Sequence, residues 1–167
     1  MYRPSPKIVL NSPEQTSRLG SSIGSLCAPG DVIALGGDLG AGKTTLAQAI
    51  ADGSGIDVSE YVCSPSFALL HEYHGRIPIY HMDFYRLQSA DDVVALGLDE
   101  YFDRSGITVI EWYERAATIL PGSTLFVDLV VIDELRREVS LHSSADSWQR
   151  RIREVLARTT TVAGDNY

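Results

Sequence analysis

A short run in the first third of the chain has the residue types and spacing of a phosphate-binding loop. Gly37 is followed after four residues by Gly42-Lys43-Thr44, which satisfies the pattern G-x-x-x-x-G-K-[ST]. Backbone N–H groups can converge on phosphate oxygens here because glycines put no bulky side chain in the way. The Lys43 ammonium would neutralise the β- and γ-phosphates, and the Thr44 hydroxyl would bind Mg²⁺. The pattern predicts a site for a nucleoside triphosphate and its Mg²⁺.

Such a site also needs a carboxylate at the end of a nearby strand, and the sequence offers two. Glu111 ends the apolar run ITVIE, which is typical of a strand buried on both faces. Asp83 ends IYHMD, where alternation puts His81 and Asp83 on one face of a strand. We expect Glu111 beside the loop strand, binding the metal directly or through one water, and Asp83 on a neighbouring strand, binding metal-bound or attacking water. Two structural alternatives stay open: a salt bridge from Asp83 to Arg86, and Glu111 as a surface carboxylate.

The elements that would position these residues follow from hydrophobic periodicity and from glycine and proline punctuation. A buried strand in DVIALGG precedes the loop, and a helix in KTTLAQAIADG follows it. Residues 66–85 alternate around HGR, which predicts an antiparallel hairpin. The other predicted elements are strands in KIVL, GITVIEW, TLFVDLVVID and REVSLH, a helix capped by Ser12, a helix over SADDVVALGLDEYF capped by Ser89, and a terminal helix from Asp146 to Arg158.

Together these elements predict an α/β fold. We expect a P-loop NTPase-like three-layer sandwich whose central sheet is mixed but mostly parallel and includes the antiparallel hairpin. At 167 residues the chain is long enough for one domain and short for two. The prediction is a single P-loop domain over residues 1–158, followed by a frayed tail over residues 159–167.

Composition and charge narrow the possible functions. The formal net charge of −8 argues against broad, sequence-independent binding of nucleic acid. No apolar run has the length of a membrane span, the first residues lack the pattern of a secretory signal, and the two cysteines fit no metal or redox spacing. We therefore expect a cytoplasmic protein with no membrane partner. Arginines concentrated near the C-terminus leave open either a solvated helix face or a local docking surface; they are Arg136, Arg137, Arg150, Arg151, Arg153 and Arg158.

The phosphate-binding pattern is shared by several classes of nucleotide-binding protein. The sequence contains no N-K-x-D guanine motif, which disfavours a switch GTPase and favours ATP, and it is too short for a transporter ATPase domain. A small-molecule kinase stays open because Asp83 and Arg86 could hold a substrate. Only Arg104 lies between the hairpin and Glu111 to serve an arginine-bearing lid, which weakens that alternative.

Further motifs occur in the order and spacing of a known family. After GDLGAGKTT come SPSF (64–67), HMDFYRL (81–87), LGLDEYF (96–102), VIEWYER (109–115) and LP (120–121). With these motifs the chain resembles the TsaE family, once called YjeE, from about Ser12 to Leu141. The resemblance implies an ATPase needed for threonylcarbamoyladenosine formation in tRNA, working with the TsaD and TsaB proteins and reaching tRNA through them. It also implies that ATP hydrolysis, weak in the protein alone, supports repeated turnover of that complex.

The resemblance assigns roles to individual residues. Lys43, Asp83 and Glu111 match the catalytic residues, and Thr44 and Glu111 match the Mg²⁺ ligands. SPSF matches a switch-like segment in which Ser66 keeps a hydroxyl where the family usually has threonine. The residues that match the ATP-binding set are Asp38, Leu39, Gly40, Ala41, Gly42, Lys43, Thr44, Thr45 and Arg136.

Other positions keep two interpretations. Tyr85 and Trp112 match aromatic positions near the site, or serve only in packing. The stretch from Ser12 to Thr16 either touches adenine or only caps a helix. Beside the hydrolase and the kinase, a non-catalytic adaptor also stays open, in which ATP occupancy alone sets the affinity for a partner.

Overall fold

The computed structural model describes residues 5–57 and 59–161, and within them seven strands form one sheet. The strands are β1 (Lys7–Leu10), β2 (Val32–Gly36), β3 (Leu70–Tyr73), β4 (Ile79–Asp83), β5 (Ile107–Glu111), β6 (Leu125–Val131) and β7 (Arg137–His142). The helices are α1 (Pro13–Leu26), α2 (Lys43–Ser54), α3 (Ala90–Ala95) and α4 (Asp146–Thr160), with 3₁₀ helices at Leu98–Asp103 and Tyr113–Ile119.

The strand order is β1-β7-β6-β2-β5-β4-β3, and its four central strands are parallel. β2 pairs in parallel with β5 and β6, and β5 pairs in parallel with β4. The remaining pairs, β1 with β7, β6 with β7 and β3 with β4, are antiparallel. The predicted mixed α/β sheet, parallel at its centre and carrying the β3–β4 hairpin, is confirmed.

Helices cover both faces of the sheet because alternate side chains of the central strands are apolar on each side. One core lies under α1, α2 and α4 and includes Leu35 and Val109. The second core lies under α3 and the 3₁₀ helices and includes Met82 and Ile110. Since Met82 points into the second core, its neighbours His81 and Asp83 face the side of α2.

The helix predicted over SADDVVALGLDEYF is divided in two. α3 ends at Ala95, and a 3₁₀ helix resumes at Leu98. Between them Gly97 has φ +70°, a left-handed conformation that interrupts helical hydrogen bonding and suits glycine. Ser89 is the N-cap residue of α3, but its side chain makes no capping hydrogen bond.

Two other boundaries differ from the prediction. β3 begins at Leu70 rather than at residue 66, because Leu69 has φ +67° and ends a turn. α4 continues to Thr160, so Thr159 and Thr160 are helical rather than part of a tail, and Thr159 is buried. Residues 162–167 of the predicted tail lie outside the described residues. In the ranges that are described, no helix is long and apolar enough to cross a membrane.

Candidate nucleotide-binding site

The carboxyl ends of three parallel strands meet at one edge of the sheet. In the register of the sheet Leu35 of β2 lies beside Glu111 of β5, and Glu111 lies beside Asp83 of β4. Open α/β sheets bind ligands at this edge because the loops that follow the strands converge there. Glu111 therefore lies on the strand next to the loop strand, and Asp83 lies one strand further out, as predicted.

The loop between β2 and α2 has the backbone conformation that the phosphate-binding pattern demands. Gly37 has φ +135°, and a Cβ there would overlap the carbonyl oxygen of Leu129 on β6. Gly42 has φ +106° and is the N-cap residue of α2, where it offers no side chain to cap the helix. The first N–H groups of α2 and the positive end of its dipole are thus available to an anion.

Lys43 is held inside this loop. Its Nζ donates hydrogen bonds to the carbonyl oxygens of Gly37 (2.5 Å) and Asp38 (2.9 Å), and the side chain is buried. Burial lowers the pKa of the Lys43 ammonium, although nearby carboxylates, Glu111 first among them, act in the opposite direction. The Nζ also lies 3.9 Å from the centroid of the Trp112 ring, a cation–π contact.

Trp112 is one of two non-glycine residues with positive φ in the described ranges, at +58°. This left-handed conformation turns the chain sharply after β5 and brings the indole over Lys43. The Tyr85 ring packs on it at a centroid distance of 4.9 Å. The aromatic pair therefore forms part of the site as well as packing, and the conformation of Trp112 is a local strain of the kind found at binding sites.

Thr44 and Glu111 are joined across the site. The Thr44 hydroxyl lies 3.2 and 3.1 Å from the two carboxylate oxygens of Glu111. Glu111 is buried, and its Oε1 lies 2.8 Å from Nε2 of His81, itself only 1% exposed. This excludes the interpretation of Glu111 as a surface carboxylate. A hydroxyl and a carboxylate at such close range are hard oxygen donors of the kind that Mg²⁺ prefers.

Asp83 does not pair with Arg86. Its Oδ2 accepts a hydrogen bond from the Ser64 hydroxyl (2.9 Å), and its Oδ1 accepts one from the backbone N–H of Tyr85 (2.8 Å). The Arg86 guanidinium lies instead over the Phe67 ring, with Cζ 4.1 Å from its centroid. The contact from Ser64 links the SPSF segment directly to the carboxylate predicted to act in hydrolysis.

A cavity of about 460 Å³ lies between these groups. Its wall contains most of the residues predicted for the site, together with Ser64, Ser66, Tyr85, Arg86 and Trp112; the predicted ones are Leu39, Gly40, Gly42, Lys43, Thr44, Thr45, Asp83 and Glu111. Asp38 contributes its carbonyl to Lys43, and Ala41 is buried within the loop. The structure thus brings together the loop, the predicted metal ligands and Asp83.

Arg136 is the one predicted site residue that the structure places elsewhere. Its Nε donates to Oδ2 of Asp133 (2.7 Å) at the exposed turn before β7. Arg137 instead reaches the phosphate loop, donating from Nε to the carbonyl of Ala41 (3.0 Å) and from an Nη to that of Gly40 (3.4 Å). Successive side chains at the start of a strand point in opposite directions, so a shift of one residue in the sequence determines which arginine reaches the loop.

A smaller cavity of about 160 Å³ lies on the other side of the loop and shares Gly40, Gly42 and Thr45 with the large one. The start of α1 contributes Pro13 and Thr16 to its wall, which also contains Leu135 and Arg137. Ser12 does cap α1, accepting a hydrogen bond from the backbone N–H of Gln15 (3.3 Å). The segment 12–16 therefore both begins a helix and lines a cavity next to the phosphate loop.

Three contacts of the site have no local signal in the sequence. The alternation of IYHMD puts His81 on the face of Asp83, but its bond to Glu111 depends on which strands pair. The motif SPSF contains Ser64 without indicating its partner Asp83, and no pattern separates Arg137 from the other C-terminal arginines.

Comparisons with known proteins agree on one family. The family model described as "Threonylcarbamoyl adenosine biosynthesis protein TsaE" matches residues 10–139. The tRNA threonylcarbamoyladenosine biosynthesis protein TsaE of Treponema pallidum is 42% identical over 135 residues, which cover 81% of this chain and 98% of the relative. The protein of the same name from Bacillus subtilis is 36% identical over 145 residues, covering 86% of this chain and 89% of the relative.

A solved structure matches over nearly the whole chain. The crystal structure of Bacillus subtilis YdiB superposes with a TM-score of 0.78 at 30% sequence identity, covering 94% of this chain and 97% of that one. The α/β architecture, including its mixed sheet, is therefore shared with a known structure.

Proposed function

This chain belongs to the TsaE family of threonylcarbamoyl adenosine biosynthesis proteins, and on that premise we propose that it is a Mg²⁺-dependent ATP hydrolase that supports repeated turnover of the complex making threonylcarbamoyladenosine in tRNA. Its partners in the cytoplasm are the TsaD and TsaB proteins, and tRNA is held by them rather than by this chain. The observation that carries the proposal is the joining of Lys43, Thr44, Asp83 and Glu111 in one cavity at the end of the parallel strands.

Each side chain has a role that its contacts support. Lys43 and the N–H groups at the start of α2 bind the phosphates, since both present positive charge to the same cavity. Thr44 and Glu111 would hold Mg²⁺, which when bound neutralises phosphate charge. Asp83 orients the attacking water, since its carboxylate lines the cavity on the next strand.

The smaller cavity between α1 and the phosphate loop suits the adenine and ribose. It shares Gly40, Gly42 and Thr45 with the phosphate cavity, so a single ligand can extend from one to the other. The state of the nucleotide would reach a partner through the SPSF segment, because Ser64 is bonded to Asp83 and Phe67 of the same segment is 85% exposed.

The experiment that tests this function is ATP turnover by the isolated protein and by the protein with the TsaD–TsaB pair. We expect slow phosphate release alone and faster release with the pair. Lys43→Ala should abolish turnover, and Asp83→Asn should lower it about a hundredfold or more while retaining nucleotide binding. Unchanged turnover in either variant contradicts the role given to that residue.

Two other outcomes would replace the proposal. Transfer of the γ-phosphoryl group to a metabolite rather than to water would identify a small-molecule kinase. Equal support of many rounds of tRNA modification by a non-hydrolysable ATP analogue would identify an adaptor that uses ATP occupancy alone.

A further inference from the structure

Two basic side chains line the large cavity among the described residues, and the proposed mechanism uses only one of them. Lys43 lies at the base of the phosphate loop, and Arg86 lies in the segment that follows β4. In the ranges that the structure describes, Arg86 forms no salt bridge with any carboxylate. A cation in a cavity wall without an anionic partner of its own is available to an anionic ligand.

The nearest carboxylate in sequence, Asp83, accepts its hydrogen bonds from other groups. Ser64 and the backbone N–H of Tyr85 each donate to one of its carboxylate oxygens. The Arg86 guanidinium is positioned by an aromatic face instead, lying 4.1 Å from the centroid of the Phe67 ring. A cation–π contact of this kind orients a guanidinium without neutralising its charge.

The position of Arg86 in the cavity wall gives it a place opposite the metal site. The wall contains two carboxylates, Asp83 and Glu111, and the charge of Glu111 would be offset by the Mg²⁺ held there. Since the metal would be held by Thr44 and Glu111, the side of the cavity formed by Asp83 and Arg86 is where an attacking water and the outer phosphate oxygens would lie.

We propose that Arg86 contacts the γ-phosphoryl group of ATP and stabilises the charge that develops on it during hydrolysis, a catalytic arginine supplied by this chain itself. The inference rests on the proposed ATP hydrolysis. In that reaction the oxygen of water bonds to the γ-phosphorus while the bond to the β,γ-bridging oxygen breaks, leaving its electron pair on ADP. The balance is ATP⁴⁻ + H₂O → ADP³⁻ + HPO₄²⁻ + H⁺, and Arg86 neither gains nor loses a proton in it.

The test compares Arg86→Ala and Arg86→Lys with a matched control, Arg104→Ala. Arg104 also lies over an aromatic ring, 3.8 Å from the centroid of Tyr101, but it does not line the cavity. For Arg86→Ala we expect kcat to fall about a hundredfold or more with the TsaD–TsaB pair present, since arginines in this role contribute on the order of 10³ to 10⁵. Arg86→Lys should recover only part of this loss, and Arg104→Ala should retain the wild-type kcat.

Binding supplies a readout that does not depend on turnover. Calorimetric titration should show that Arg86→Ala binds ADP within about twofold of the wild type, whereas its affinity for a non-hydrolysable ATP analogue falls about tenfold, as for the loss of one charged hydrogen bond. Equal weakening for both nucleotides, or no weakening for either, overturns the proposal, as does an unchanged kcat. If the wild type releases no phosphate even with its partners, the proposed function fails, and the difference between ADP and the analogue still decides whether Arg86 meets the γ-phosphate.

Discussion

At the scale of single residues, the hydrogen bond between His81 and Glu111 leads to a prediction about stability. Both side chains are almost fully buried, so His81→Ala would take this hydrogen bond from the Glu111 carboxylate and leave a hole beside it. We expect the free energy of unfolding, measured by urea denaturation without nucleotide, to fall by about 2 kcal/mol. His74→Ala is the matched control, because His74 pairs with Glu60 at the surface and its side chain is 82% exposed. A loss in His81→Ala no larger than in this control would contradict the prediction.

The residues of the site could be predicted from the sequence as far as strand periodicity reaches. Alternation in IYHMD places His81 and Asp83 on one face, and the apolar run ITVIE places Glu111 on a central strand; the structure agrees with both. The bond between His81 and Glu111 could not be predicted in the same way. It depends on the pairing of β4 with β5, which joins residues far apart in the sequence.

At the scale of elements, the phosphate loop depends on a strand from the other half of the chain. Arg137 at the start of β7 donates to the carbonyl oxygens of Gly40 and Ala41, and so holds the outer side of the loop. The family resemblance assigns a nucleotide contact to Arg136, but Arg136 bonds Asp133 and the side chain that reaches the loop is that of Arg137. Where the turn ends and β7 begins decides which of the two side chains points toward the loop.

Replacement of Arg137 by alanine should lower the nucleotide affinity, whereas replacement of Arg136 should not. Arg137→Ala removes two hydrogen bonds from the loop, so we expect nucleotide affinity to fall about tenfold. Arg136→Ala loses only an exposed pair with Asp133, which is worth at most about 1 kcal/mol to stability and nothing to the loop. Calorimetric titration with ADP measures the nucleotide affinity of each variant. Greater loss of affinity in Arg136→Ala than in Arg137→Ala would restore the assignment made from the sequence.

The packing of α1 on α2 gives a second prediction at this scale. A Cβ at Gly24 would overlap the carbonyl oxygen of Ile50, so the two helices touch through backbone atoms. Helix propensity alone would make Gly24→Ala stabilising by up to about 1 kcal/mol. The cost of overpacking is larger than this gain, so we expect the free energy of unfolding of Gly24→Ala to be lower by about 2 kcal/mol, measured by thermal or urea unfolding. Gly122→Ala, where nothing lies within 4 Å of the added Cβ, should change stability by less than about 0.5 kcal/mol.

At the scale of the whole molecule, the sequence predicted the architecture well because its strongest signals were local. The phosphate-binding pattern between a strand and a helix, the hairpin around HGR and the apolar central strand each specify their own element. The break in the helix at Gly97 could not be predicted, because the hydrophobic pattern continues through this residue. The break follows from the left-handed backbone of Gly97, which the sequence alone does not specify. Long-range pairing, as for β1 with β7, leaves no comparable local signal.

The C-terminal arginines, which could have formed a docking surface, are largely engaged within the protein. Arg151 is bonded to Asp31 and lies over the Trp148 ring, and Arg158 pairs with Glu154. Arg136 and Arg137 are held at the start of β7. Two of the six, Arg150 and Arg153, are exposed and form no ion pair within the described residues, and two cations release few counterions from a nucleic acid, in a chain whose formal net charge is −8.

We therefore expect the isolated protein to bind tRNA weakly, with a Kd above about 10 μM near physiological salt, in the range of non-specific electrostatic binding. The double variant Arg150→Glu/Arg153→Glu reverses two exposed charges on α4. Under the proposed function, in which TsaD and TsaB hold the RNA, this variant should not change the recovery of tRNA with the complete assembly. Filter binding of labelled tRNA at several salt concentrations measures both quantities. Submicromolar binding by the isolated protein that is lost in the double variant would instead assign the RNA contact to α4. The molecule would then have a local basic surface despite its negative net charge.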